Sequence, residues 1–364
     1  MENSLEPNKC NPIMVAMSGG VDSAVAAALL QREGYEIAGV TLRMFDPSIL
    51  PEGVSSPFST DSPVTDAKQA ADRLGIPHYV LDASAEFRRD VITPFVSTYC
   101  EGGTPNPCVD CNRCVKFGSL FDSAEQLGYH ILATGHYSAL ETTESGRILL
   151  RRAADPSKDQ TYMLWSLTQD KLARVRFPLG GMKKSEVKEI AEELGLVSAK
   201  RKESQDICFI PDGDYAAFIH RFLGKSFPEG NFIAPDGKIL GRHKGIIHYT
   251  IGQRKGLGIA LGEPMYVAEK DVQNNTVTLT RNEGLFRKEL TVKQINLMAF
   301  DRIDTPLRVH AKVRYHHTPA LATVTQIDET HLHVVFDEPQ RAIAAGQSFV
   351  MYDGDLLLGG GIIC

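Results

Sequence analysis

The sequence predicts an α/β chain: a parallel-sheet domain of the nucleotide-binding kind, then a small central domain and a C-terminal β-barrel. Three observations predict it. Up to about Phe209, short apolar runs alternate with helical segments. A glycine-rich turn, Ser18-Gly19-Gly20-Val21-Asp22-Ser23, stands between the first apolar run and an alanine-rich helix. After Asp212 the alternation gives way to short strands with turn signals such as Pro235-Asp236-Gly237, Asn274-Asn275 and Asp353-Gly354. A chain of 364 residues exceeds what one core fills, and the changes of character put boundaries at 1–210, 211–284 and 285–364.

In order along the chain, Ile13–Met17, Ile37–Met44, His78–Leu81 and Ile131–Ala133 read as strands. Val21–Arg32, Thr65–Leu74, Ala85–Tyr99 and Val115–Leu127 read as the helices between them. Such alternation implies a parallel sheet covered on both faces. Ligands of these sheets bind beyond the carboxyl ends of the strands. The glycine turn, the loop after Met44 and Thr134-Gly135-His136-Tyr137 should therefore line one crevice. The stretch from Asp46 to Val64, with four prolines and five serines, reads as a loop able to cover that crevice. A further helix over Ser185–Leu194 leads to a basic cluster, Lys200-Arg201-Lys202. In the last part, Leu307–Tyr315, Ala322–Ile327, His331–Phe336 and Phe349–Tyr352 have the length and spacing of barrel strands.

Composition narrows the function. The apolar share of 43% and charged share of 23% are those of a soluble protein. No run reaches transmembrane length, and Met1–Asn11 lacks the features of a signal peptide, so a cytoplasmic location without membrane attachment is expected. A net charge of −6 argues against binding nucleic acid over the whole surface. It leaves room for a local basic face: Lys238, Arg242, Lys244, Arg254 and Lys255 fall in a stretch with no acidic residue.

Two segments carry chemistry. Two glycines before a helix let backbone N–H groups approach an anion at the helix's positive end. The spacing is not that of a kinase or GTPase phosphate loop; S-G-G-x-D-S resembles the loop of the ATP pyrophosphatases, which attach AMP to an oxygen and release pyrophosphate. The second segment is Thr104-Pro105-Asn106-Pro107-Cys108-Val109-Asp110-Cys111-Asn112-Arg113-Cys114. Its prolines fix the chain ahead of a helix, so its thiols stand near a helix N-terminus, where positive potential should lower a thiol pKa. Zinc would need a further ligand pair that the sequence lacks. Cys208 lies in an apolar setting, Ile207-Cys208-Phe209-Ile210.

With these segments in view, the chain resembles the tRNA-specific 2-thiouridylases, the MnmA family, which replace the C2 oxygen of the wobble uridine with sulfur. The resemblance runs through Ala16–Ser23, Thr104–Cys111, Ala133–Tyr137, Lys158-Asp159-Gln160, Cys208-Phe209-Ile210, Gly252-Gln253-Arg254-Lys255-Gly256-Leu257-Gly258 and Gly359-Gly360-Gly361-Ile362-Ile363. It implies an adenine-nucleotide-binding domain that uses ATP and Mg²⁺, with Ala16, Met17, Ser18, Gly19, Gly20, Val21, Asp22, Ser23, Met44 and Gly135 around the nucleotide. It implies that Cys208 takes a persulfide from a sulfur-relay protein or cysteine desulfurase and that Cys111 is the partner nucleophile. It places Asn106, Pro107, Cys108, His136, Lys158, Asp159, Gln160, Arg314, Tyr315 and Gln347 against tRNA.

One departure stands out: relatives carry Asn-Pro-Asp where this chain has Asn106-Pro107-Cys108, and that Asp is the family's proposed acid/base group. The substitution opens a second route, in which Cys108, Cys111 and Cys208 hold a [4Fe–4S] cluster with one open iron. Competing readings are another synthetase with the same phosphate loop, which would not need the paired cysteines, and a metal-containing RNA-binding protein without catalysis, which would not need the loop.

Overall fold

The computed structural model describes residues 11–45, 62–196 and 207–364. The covering-loop reading of 46–64 falls almost wholly outside the described residues, as does the Lys200-Arg201-Lys202 cluster. The chain divides into two compact units. The first takes the residues up to Val91, Cys108–Pro211 and Asp355–Leu357; the second takes Ile92–Pro107, Asp212–Gly354 and Leu358–Cys364.

The strands of the first unit are β1 (Ile13–Ala16), β2 (Ile37–Arg43), β3 (His78–Asp82), β4 (Ile131–Thr134), β5 (Ala139–Thr142), β6 (Ile148–Arg151) and β7 (Val175–Arg176). Five of them form one parallel sheet in the order β3-β2-β1-β4-β7. Ile13, Met14 and Val15 are fully buried, as expected of a central strand covered on both faces. From β1 the chain passes through helix α1 (Val21–Arg32) to β2 on one side, while β4 flanks β1 on the other. The strand order reverses there, so a crevice opens at the carboxyl end of β1. Helix α1 is buried almost all round, from Ser23 to Ala28 and at Leu30, because small alanines allow close approach. Its core neighbours include Ala67 and Ala71 of α2 (Ser62–Leu74) and Val187 and Ala191 of the helix Lys184–Glu193.

The expected elements of this unit are present, with differences; the edge strand β7 and the helix Gln169–Ala173, for example, were not expected. Strands β5 and β6 form a hairpin, to which Leu356 and Leu357 add by pairing with Arg151 and Leu150; the sequence reading did not include it. The helix expected from Val115 begins eight residues earlier, at Pro107, and is π-helical over Cys111–Ser119.

The second unit carries β8 (Gly230–Ile233), β9 (Ile239–His243), β10 (Tyr266–Asp271) and β11 (Thr276–Thr280), paired in the order β10-β11-β8-β9. It also holds a helix that the turn-based reading missed, Tyr215–Leu223. The signals for that helix were available: Asp214 caps it through a 2.9 Å bond from the Ala217 N–H, and Gly224 ends it in the left-handed conformation. The barrel strands are β12 (Phe286–Leu297), β13 (Leu307–Lys312), β14 (Ala320–Gln326), β15 (His331–Arg341), β16 (Ser348–Asp353) and β17 (Leu356–Ile363). They follow the order β12-β15-β14-β13-β16-β17, and β12 pairs with β17 to close the ring. Val292, Val309, Val324, Val334, Phe336, Phe349 and Met351 fill its interior. The parallel-sheet domain, small central domain and C-terminal barrel that the sequence predicts are therefore all present.

Candidate active site

The glycine turn is built by its last serine. The Ser23 hydroxyl accepts from the Ser18 N–H at 3.1 Å and donates to the Gly20 carbonyl at 3.0 Å, which folds the loop back on the start of α1. Gly19 has φ +74°, and a Cβ there would stand 2.6 Å from the Pro63 carbonyl oxygen. Gly135 brings the loop after β4 against the same helix start, where a Cβ would lie 2.8 Å from Asp22 C and Ser23 N. The first-turn N–H groups of α1 have no partners within the helix and carry its positive end.

These elements wall a cavity of about 240 Å³. Met17, Val40, Leu42 and Met44 give it an apolar side suited to a purine; Ser18, Asp22, Ser23, Lys116, His136 and Gln160 give it a polar side. Ala16, Thr41, Pro63, Thr134 and Gly135 complete the wall. Of the three loops that the sequence reading sends to one crevice, the glycine turn and the loop after β4 do meet there, with Met44 beside them; most of the loop after Met44 lies outside the described residues. Gly19, Gly20 and Val21 are not among its walls; they shape the turn.

Asp22 is the carboxylate of the cavity wall. It accepts from the Tyr137 hydroxyl at 2.8 Å and from the Lys184 ammonium at 2.6 and 2.8 Å. The sequence reading places Tyr137 in this crevice but not against Asp22, and it does not include Lys184. Lys184 had one signal: it is a cation in the first turn of its helix, where the helix dipole opposes it. His136 is buried between the rings of Phe117 and Phe177, with Nδ1 2.7 Å from the Thr134 hydroxyl. Burial, helped by the charge of Lys116, holds its imidazole neutral, well below the usual histidine range.

The cysteines stand on the neighbouring helical segment. Pro107 opens it, Cys108 follows and is exposed, and Cys111 is buried. Cys208, half-buried, follows Ile207 in a turn closed by a 2.9 Å bond from the Ile210 N–H to the Ile207 carbonyl. Phe209 anchors that turn on Phe87. The thiols of Cys108, Cys111 and Cys208 are close enough to act on one another's ionisation.

The expected lowering of thiol pKa is overturned. Burial pushes Cys111 up to about 11 and moves Cys108 and Cys208 upward as well, with only Lys116 pulling all three down. Cys108 reaches solvent, yet it is densely surrounded, so desolvation still governs it. Burial likewise raises Asp110 to about 6, although Arg113 pairs with it at 2.8 Å.

Among the described residues, no three His, Cys, Asp or Glu side chains are grouped so as to hold a metal ion. Cys108, Cys111 and Cys208 are therefore not grouped as the three ligands of a [4Fe–4S] cluster.

The residues expected against tRNA fall in both units. In the first, His136 and Gln160 face the cavity, and the Gln160 carbonyl accepts from the Tyr137 N–H at 2.9 Å. Asp159 accepts from the Thr161 hydroxyl at 2.9 Å, which shapes the Lys158-Asp159-Gln160 turn. In the second, Gln347 donates to the carbonyls of Thr104 and Pro105 at 3.0 and 3.1 Å, pinning the segment that leads to Asn106 and Pro107. Arg314 donates to the carbonyls of Ile251 and Ala342, and Tyr315 lies 5.5 Å from the Lys312 ammonium.

Comparison with known proteins adds the lineage. Residues 11–212 match the model described as a tRNA methyl transferase HUP domain, 216–281 its PRC-barrel domain and 287–363 an aminomethyltransferase beta-barrel domain. The tRNA-specific 2-thiouridylase MnmA of Clostridioides difficile (strain 630) is 47% identical over 352 residues, 96% of this chain and 97% of that one. That of Acetivibrio thermocellus is 46% identical over 356 residues, 96% and 98% of the two chains. The chain belongs to the MnmA family. Among solved structures, the U34-tRNA thiolase NcsA from Methanococcus maripaludis is 17% identical, with a TM-score of 0.35 over 59% of this chain and 70% of that one. No helix among the described residues of this MnmA-family chain is long and apolar enough to cross a membrane.

Proposed function

We propose that this protein uses ATP to replace the C2 oxygen of the wobble uridine of tRNA with sulfur. The observation that carries the reading is that one helical segment, Pro107 to Gln126, bears Cys111 beside Cys208 and sends Lys116 into the wall of the nucleotide cavity. A synthetase that used only the phosphate loop would have no use for the thiol pair. A binding protein without catalysis would have no use for the cavity.

Uridine C2 is amide-like, so its oxygen must become a leaving group before sulfur can enter. The uridine O2 attacks the α-phosphorus of ATP, and pyrophosphate departs with the electron pair. The turn Ser18–Ser23 and the amides opening α1 hold the phosphates. Asp22, the wall's carboxylate, suits Mg²⁺, which when bound neutralises phosphate charge; Lys184 holds that carboxylate in place. The terminal sulfur of a persulfide on Cys208 then bonds to C2, and AMP leaves. Cys111 attacks Sγ of Cys208, breaking the S–S bond, so that the sulfur remains on C2 and a Cys111–Cys208 disulfide forms. An external thiol reduces that disulfide, and a sulfur-relay protein or cysteine desulfurase reloads Cys208. Since base-modifying enzymes must expose their target atom, the uridine is extruded from the anticodon loop. Its recognition falls to Asn106, Pro107, Cys108, His136 and Gln160, with Lys158, Asp159, Arg314, Tyr315 and Gln347 supporting the surrounding RNA.

The test is incubation of the purified protein with unmodified tRNA, ATP, a cysteine desulfurase with L-cysteine to load Cys208 with sulfane sulfur, and a thiol reductant. One pyrophosphate and one AMP per 2-thiouridine are expected. Absence of tRNA-dependent pyrophosphate release would overturn the reading.

A further inference from the structure

Lys116 joins the two halves of the site. It lines the cavity with Ser18, Asp22, Ser23 and Gln160, and it lies on the same π-helical turns as Cys111. Half-buried, it makes no hydrogen bond or ion pair among the described residues. The carboxylate in that wall, Asp22, is already engaged at both oxygens by Lys184. A half-buried ammonium beside a phosphate site, with no carboxylate partner among the described residues, is poised for an anion. Its reach extends the other way too, since it opposes the effect of burial on Cys108, Cys111 and Cys208, against Asp110, which pushes Cys111 and Cys108 up.

We propose that Lys116 is a catalytic cation that holds the α-phosphate of ATP, and then of the uridine adenylate, on the side of the cavity nearest the cysteines. The proposal rests on the thiolation reading. In the first step the bond from uridine O2 to phosphorus forms and the bond to the pyrophosphate oxygen breaks; negative charge gathers on the equatorial oxygens that Lys116 faces. In the second, the C2–S bond forms, the C2–O bond breaks, and AMP leaves with the electron pair. Lys116 stays protonated throughout and transfers no proton. The same positive charge favours the thiolate form of Cys111 as it attacks Cys208.

The test uses the full chain with Lys116→Met, which keeps the aliphatic stem, and Lys116→Arg, which keeps the charge. Single-turnover pyrophosphate release and 2-thiouridine formation are followed with tRNA, ATP and protein whose Cys208 has been loaded with sulfane sulfur by a cysteine desulfurase and L-cysteine. Iodoacetamide labelling of Cys111 at pH 8 is followed without tRNA or ATP. Lys116→Met should slow both chemical steps by about 10²–10³-fold and labelling by about 3-fold, with thermal unfolding unchanged. Lys116→Arg should return within about 10-fold of the wild-type rate. Wild-type rates in Lys116→Met, or equal losses in Met and Arg variants that melt normally, would overturn the proposal. If Lys116→Met melts early, Lys116→Gln carries the same comparison. A wild-type protein that releases no pyrophosphate would defeat the thiolation reading instead, and slower labelling in Lys116→Met would still show the cation acting on Cys111.

Discussion

Two helix starts invite comparison. Both α1, entered through Gly19 and Gly20, and the segment entered through Pro107 present a positive helix end. At α1 that end opens on a cavity, and neighbouring side chains leave its amides room for a phosphate. At Pro107 it meets a buried setting, and Cys111 is driven up to about 11. The dipole contributes about 1 kcal/mol or less, whereas burying an unpaired charge costs several. Helix position therefore decides chemistry where the helix end is open, and burial decides it where the end is packed. A thiol pair held protonated at rest suits a protein that must carry sulfur without losing it to solvent.

The largest effect should come from the packed end. Cys111→Ala and Cys208→Ala are each expected to lower 2-thiouridine formation by at least about 10³-fold, with tRNA affinity within about 2-fold. Mass spectrometry of the tRNA nucleosides and a filter-binding assay measure the two. Full thiolation by Cys111→Ala would remove the contrast between a nucleophilic and a phosphate-binding helix start.

Next in size is the open end. Gly135→Ala would press a methyl group to 2.8 Å from the backbone of Asp22 and Ser23, costing about 1–3 kcal/mol and raising the KM for ATP by about 10-fold. Gly181→Ala, with no atom within 4 Å of the new Cβ and no unusual φ, serves as the neutral control. Equal behaviour of the two variants in pyrophosphate-release kinetics would mean that close approach at Gly135 is not what shapes the cavity.

This contrast also explains what the sequence could tell. Ser18–Ser23 is a local pattern whose function follows from backbone geometry, so strand, turn, helix and crevice were all legible. The thiol chemistry was not, because the burial of Cys111 and Cys208 is set by chain from elsewhere, Phe87 under Phe209 among it. Lys184 lies 162 residues from Asp22, and no local spacing links them. In the barrel, β12 escaped notice because its 12 residues, with four exposed in succession at Phe286–Glu289, break the apolar alternation that marks the other strands. The helix Tyr215–Leu223 was legible through its cap residues but was masked by the turn-rich sequence that follows it.

The burial of the thiols gives a smaller, graded prediction. Labelling of Cys111 by iodoacetamide should rise about tenfold per pH unit between pH 7 and 10, since the thiolate is the reactive form and its pKa lies near 11. Peptide mass spectrometry locates the label. A plateau beginning near pH 7 would mean that the positive helix end prevails there after all.

Stability should show the same burial with the opposite consequence. A thiol whose pKa is higher in the folded protein than in the unfolded chain favours folding fully below the unfolded value, near 8.5, and loses that advantage as pH climbs toward about 11. Cys111 alone should cost the first unit about 2 kcal/mol by pH 10. The protein's single tryptophan, Trp165, is buried in that unit and reports on it directly. In the second unit the sign reverses: Lys270, half-buried and donating to the carbonyls of Gly103 and Tyr249, is lowered to about 8 by desolvation, so its folded form sheds the charge and that unit gains stability as pH rises from 8 toward 10.5. The urea midpoint followed by Trp165 fluorescence should therefore fall between pH 8 and 10 in the wild type and fall less in Cys111→Ser, which has no thiol to ionise. Lys270→Met should leave that difference unchanged, because its titration belongs to the other unit. A wild-type midpoint that holds steady to pH 10 would show that the Cys111 thiol is not desolvated, and the distinction between the two helix starts would lose its physical basis.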